Sequence, residues 1–102
     1  MTRKIVTLCG STRFKDYFME YNRLFTMEGA IVLMPGVFGH MGDPVNEQEK
    51  LALDELHRDK IKMSDAVFVV NINHYIGNST KKEIEYAKSL NKPILYAEEG
   101  EV

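Results

Sequence analysis

The run Ala66-Val67-Phe68-Val69-Val70-Asn71-Ile72 constrains the fold more than any other part of the chain. Its apolar residues do not alternate with polar ones, so the strand it predicts must be covered on both faces. A parallel sheet meets that need, because the crossover between two parallel strands is itself a covering helix. The other pieces of such a sheet are present. Ile5–Cys9, Ala30–Met34 and Pro93–Tyr96 are short β-rich runs, the first two closed by Gly10-Ser11 and Pro35-Gly36.

Helical periodicity fills the intervals. Phe14, Tyr17, Phe18, Tyr21, Leu24 and Phe25 recur at helical spacing. A polar helix is predicted over 47–63, with Leu53, Leu56, His57, Lys60 and Ile61 on its inner face. A third helix opens at Thr80, and its inner stripe is Glu83, Ile84, Ala87 and Leu90. The order β-α-β-α-β-α-β predicts one α/β domain over 1–102. It should be a Rossmann-like (flavodoxin-like) three-layer sandwich with a four-stranded parallel sheet in the order 2-1-3-4. The switch point of that order lies between strands 1 and 3, and ligands bind such folds outside the carboxyl ends of the strands near the switch. The segments Cys9–Arg13, 35–46 and Asn71–Thr80 are therefore marked before any chemistry is considered.

Composition narrows the class of function. The formal charge of -2 supplies no basic field, so a nucleic-acid polymer is not an expected partner. With one cysteine, neither an internal disulfide nor a cysteine-only metal site can form, which fits a reducing compartment. No stretch approaches the ~20 apolar residues of a membrane span, and the expected location is cytoplasmic. A fold this short leaves apolar helix faces uncovered, so a homodimer or larger assembly is expected.

Two polar segments could grip an anion. Gly10, Ser11, Thr12 and Arg13 join the first strand to the first helix, where close backbone approach, free amides and a planar guanidinium suit a phosphate. The same residues also spell an ordinary capped turn. Gly77, Asn78 and Ser79 repeat the theme before the third helix. Glu83 has two readings. It lies on the buried seam with Ala87 and Leu90, as a catalytic carboxylate would. Thr80-Lys81-Lys82-Glu83 also spells a capping box, and spacing alone favours that reading. His57 is a catalyst or a core histidine. His40 and Asp43 in the glycine-rich loop, and Asn71 and Asn73 after the third strand, could contact a sugar or base. Histidines at 40, 57 and 74 form no metal motif, and neither a metal nor a cofactor is expected. Cys9 reads as packing.

Taken together, Lys4–Arg13 ("KIVTLCGSTR"), Ser64–Asn71 ("SDAVFVVN") and Gly77–Pro93 ("GNSTKKEIEYAKSLNKP") resemble the nucleoside 2-deoxyribosyltransferases and the related 2'-deoxynucleoside 5'-phosphate N-hydrolases. The resemblance implies a nucleotide- or nucleoside-processing enzyme that cleaves or transfers an N-glycosidic bond. It implies Glu83 as nucleophile, His57 as a possible acid/base or sugar contact, and a phosphate pocket at Gly10, Ser11, Arg13 and Ser79. The alternative is a nucleotide-binding or sensing domain of the same fold without the chemistry. The chain departs from the family pattern at Thr7 (a tyrosine in the hydrolases), His57 (an aspartate) and Glu85 (a glycine). The transferases' aspartate after the third strand is matched at best by Asn71 or Asn73.

Overall fold

A computed structural model describes residues 3–38 and 44–99 of the protein. The central strands are β1 (Ile5–Gly10) and β3 (Ala66–Val70). β2 (Ile31–Leu33) and β4 (Ile94–Tyr96) flank them. All pairs are parallel, in the order β2-β1-β3-β4. This is the expected α/β sheet with the expected switch point.

Side-chain parity along the two central strands sorts the helices into layers. Val6 and Leu8 of β1 and Phe68 and Val70 of β3 pack with Phe18, Tyr21 and Phe25 of α1 (Lys15–Met27). The alternate residues Cys9, Val67 and Val69 pack on the other face. There they meet Ile61 of α2 (Glu47–Met63) and Ile84 and Ala87 of α3 (Asn78–Ser89). β3 is buried on both faces because one helix covers one side of it and two share the other.

Several boundaries differ from the sequence expectation. β3 stops at Val70 because residues 72–74 make a 3-10 turn, with Asn73 and His74 at φ of 57° and 61°. Leu56, expected inside α2, is 51% exposed. The capping-box reading of Glu83 is overturned. α3 begins at Asn78 with Gly77 as its N-cap and no side-chain cap, so Thr80 is a buried residue of the first turn. Glu83 stands a full turn beyond the free amides it was expected to satisfy. A true capping box opens α2 instead, where Asn46 Oδ1 accepts from Glu49 N at 2.8 Å and Glu49 Oε1 accepts from Asn46 N at 2.9 Å.

Polar clips fix the ends of the sheet. Asp65 closes the lower edge: its Oδ2 accepts from Ile5 N at 2.8 Å, and its own N donates to Ile5 O at 2.7 Å. The Thr7 and Ser64 hydroxyls lie against each other and against the Lys60 carbonyl near the end of α2, two protons being shared among three contacts. At the upper edge the buried Asn71 amide donates to Glu98 O at 2.9 Å and accepts from Glu98 N at 2.8 Å. That pairing ties the segment after β4 to the end of β3.

Candidate active site

The carboxyl ends of β1, β2 and β3 open into a cleft of about 760 Å³. Gly10–Arg13, Pro35–Val37, one side of α2, Tyr75 and Gly77–Thr80 wall it. Its volume falls in the range of small-molecule sites. Every loop that the switch-point argument marked contributes to it, and His57 and Glu83 stand in its wall.

The deepest group is built from three elements. Cys9 is the last residue of β1 on the α2/α3 face, His57 is on α2 and Glu83 is on α3. Parity brings the cysteine between the two helices. Cys9 Sγ lies 3.3 Å from His57 Nε2, and His57 Nε2 lies 3.6 Å from Glu83 Oε1. Cys9 is fully buried and His57 nearly so, while the Glu83 side chain keeps 19% of its surface.

Burial sets the protonation states. It raises the Glu83 carboxyl to about 7, with Asp54 adding to the rise and the Cys9 thiol, Lys50 and Arg58 opposing it. It lowers His57 to about 4, helped by the Lys60 charge and opposed by Asp54. The Cys9 thiol is pushed well above its ordinary value, first by burial and then by the neighbouring Glu83 charge. At neutral pH the histidine is therefore neutral and its approach to Glu83 is not an ion pair. Two buried atoms of the group, His57 Nδ1 and Glu83 Oε1, lack a hydrogen-bond partner.

The phosphate-cradle residues lie across the cleft. Ser11 Oγ caps the short turn 12–14, accepting from Arg13 N at 3.3 Å and from Arg13 Nε at 3.2 Å. The Arg13 guanidinium carbon lies 4.3 Å from the centre of the Tyr75 ring, and Nη2 donates to the Tyr75 hydroxyl at 3.2 Å. Gly10, at φ 153°, lets the chain turn hard against β3, since a Cβ there would stand 2.8 Å from Val70 O. Gly77, Asn78 and Ser79 line the same cleft at the start of α3, and Lys50 Nζ reaches Ser79 Oγ at 3.5 Å.

Asn71 and Asn73 are not brought to the cleft. Both amide atoms of Asn71 are spent on Glu98, and Asn73 N donates to Glu98 Oε2 at 3.0 Å. His40 and Asp43 lie outside the described residues. Conversely, Lys50, Asp54 and Lys60 of α2 and Tyr75 line the cleft without having been singled out as site residues. The signal for the first three was available, because positions 50, 54, 57 and 60 fall on one helical stripe with His57. Nothing local marks Cys9. Its neighbours emerge only when residues 9, 57 and 83 are folded together, with one side-chain donor atom of each within 4.8 Å of the others.

No protein-family model matches the chain, and its sequence matches no curated protein. Among solved structures it superposes on a 2-deoxyribosyltransferase from Leishmania mexicana with a TM-score of 0.68. It has the fold of a 2-deoxyribosyltransferase. The identity is 18%, and the alignment covers 91% of this chain and 63% of that one, so the chain spans less than two thirds of that enzyme's length. The expected fold and the observed one agree. Among the described residues no helix is long and apolar enough to cross a membrane.

Proposed function

We propose that the protein cleaves or transfers the N-glycosidic bond of a nucleoside or nucleotide, with Glu83 as the nucleophile. The observation that carries this reading is a carboxylate, unpaired at Oε1, at the buried end of a cleft of about 760 Å³. Breaking an N-glycosidic bond builds oxocarbenium character at the anomeric carbon, and an adjacent anion stabilises that charge or captures it. Glu83 has the environment for the task. Its pKa near 7 leaves a large ionised fraction at neutral pH, and burial keeps the carboxylate poorly solvated. Neutral His57 beside it adds no competing positive charge and is a polar contact for the sugar. Gly10, Ser11, Arg13, Asn78 and Ser79 would hold a phosphate, with Thr12 and Gly77 shaping the backbone around it. The similarity of fold to the 2-deoxyribosyltransferase from Leishmania mexicana supports the substrate class.

The test is release of free base from nucleosides, deoxynucleoside monophosphates and NAD, followed by chromatography. Wild-type protein should release base from at least one of these classes and Glu83→Gln from none. If wild type releases nothing yet is stabilised by a nucleotide, the cleft is a binding or sensing site and the catalytic reading is wrong.

A further inference from the structure

We infer that Cys9, His57 and Glu83 form a binding site for a thiophilic divalent cation of the zinc class, with a fourth coordination position open to the cleft. The donor set is sulfur, imidazole nitrogen and carboxylate oxygen, the three protein ligands that zinc takes. Its geometry fits as well. Bond lengths of ~2.0–2.3 Å at tetrahedral angles put neighbouring donors roughly 3.3–3.6 Å apart, and the two measured edges are 3.3 Å and 3.6 Å. The Cys9–Glu83 edge is no wider than 4.8 Å, and closing it to a tetrahedral edge of roughly 3.5 Å takes a shift of about 1 Å at most by the Glu83 carboxylate, the more exposed partner of His57 in this group.

Hydrogen bonding alone serves this group poorly. A neutral imidazole has one proton. Placed on Nε2, it leaves buried Nδ1 bare; placed on Nδ1, it has no acceptor there. Glu83 Oε1 is also buried without a donor. One cation would engage Sγ, Nε2 and the carboxylate together and so satisfy the Glu83 oxygen, while a protonated Nδ1 would still lack an acceptor. Charge closes too, since a thiolate and a carboxylate balance a doubly charged ion in a place where net charge is costly. Binding would release the thiol proton to solvent and form the metal–sulfur bond, with no change of oxidation state.

The inference deepens the reading of Glu83 given above, because an ion held by this carboxylate withdraws it from a sugar. Metal binding and base release should therefore exclude each other. The direct test needs no activity. Co²⁺ is titrated into the chelator-treated full chain and followed by absorption. The chain has one cysteine, so a thiolate-to-cobalt charge-transfer band assigns itself to Cys9 in wild-type protein. The expected result is one Co²⁺ per chain, that band, and intense visible bands of tetrahedral coordination, all displaced by Zn²⁺ but not by Mg²⁺. Cys9→Ser should lose the charge-transfer band. His57→Gln should weaken binding more than the ~10–100-fold typical of losing a mere supporting contact to a metal ligand. Absence of the band in wild type, its survival in Cys9→Ser, or equal competition by Mg²⁺ would each overturn the site. Base release by the metal-free protein is measured separately, so either reading can fail while the other stands.

Discussion

Glu83 is the residue on which the proposed function and stability pull in opposite directions. Its carboxyl titrates near 7 in the fold against an ordinary 4.5, so between those values the native chain holds a proton that the unfolded chain has lost. Stability conferred by that proton is therefore lost as pH rises from 4.5 through 7. The ceiling on the effect is on the order of 3 kcal/mol, because each tenfold difference in proton affinity between the two states is worth about 1.4 kcal/mol. His57 works the other way. With a native value near 4 against 6.5 unfolded, its contribution is present above 6.5 and lost as pH falls towards 4. The two nearly cancel over the shared acidic range. Glu83→Gln removes one side of that balance. In metal-free protein it should melt above wild type at pH 8, show little difference at pH 5, and release no base at either pH. Wild-type base release should itself decline below pH 7 with a single titration, as Glu83 takes up its proton. A Glu83→Gln variant less stable than wild type at pH 8 would mean that the charged carboxylate has a stabilising partner in solution. The seam position of Glu83 was legible from its helical stripe. That of Cys9 was not, because no spacing in the sequence reveals which face of β1 meets α2 and α3.

At the scale of elements, the sheet order and the crossing helices followed from the apolar run at 66–72, whereas element ends did not. Helix starts depend on which of several small polar residues caps, and Gly77 won over Thr80 by beginning α3 earlier than Thr80-x-x-Glu83 suggested. Asn71 shows why a polar residue at a strand end is ambiguous. It was open to ligand contact or strand termination, and the fold uses it as a clip. Asn71→Ala leaves the backbone N–H and C=O of Glu98 without their partner, so urea unfolding should show a loss of about 1–3 kcal/mol. Nucleotide affinity should be little changed, since the residue does not line the cleft. Arg13 is the opposite case. Its guanidinium is held by Ser11 and Tyr75 at an exposed turn, and exposed contacts of this kind are worth little to stability. Arg13→Ala should melt within about 0.5 kcal/mol of wild type. It should also erase any advantage of a deoxynucleoside monophosphate over the matching nucleoside in a thermal-shift titration. A monophosphate preference that survives in Arg13→Ala would move the phosphate site away from the β1–α1 turn.

At the scale of the whole molecule, several large apolar side chains among the described residues are exposed. α2 covers the sheet with His57 and Ile61 but presents Leu56 at 51% and Met63 at 63% exposure. These two lie seven residues apart on one helical stripe, with exposed Ala52 a turn before Leu56. Leu56 and Val45 also border the cleft, and Val45 is itself exposed. Scattered exposed leucines need no explanation, and Asp59 and Lys60 lie between Leu56 and Met63 on this stripe, but apolar residues at the rim of a cleft are where a partner would be expected to sit. A second copy of this chain is the economical partner, because a two-fold pairing through α2 would cover the stripe in both subunits and wall the open side of both clefts. Light scattering at micromolar concentration should therefore give a dimer mass. Leu56→Glu combined with Met63→Glu should give a folded monomer, since both positions are already exposed and two like charges facing their symmetry mates oppose association. Nucleotide-induced stabilisation should fall in the monomer if the partner walls the cleft, and should be unchanged if the stripe serves association alone. A wild-type monomer at those concentrations would remove the two-fold pairing and leave the cleft to be closed by this chain by itself.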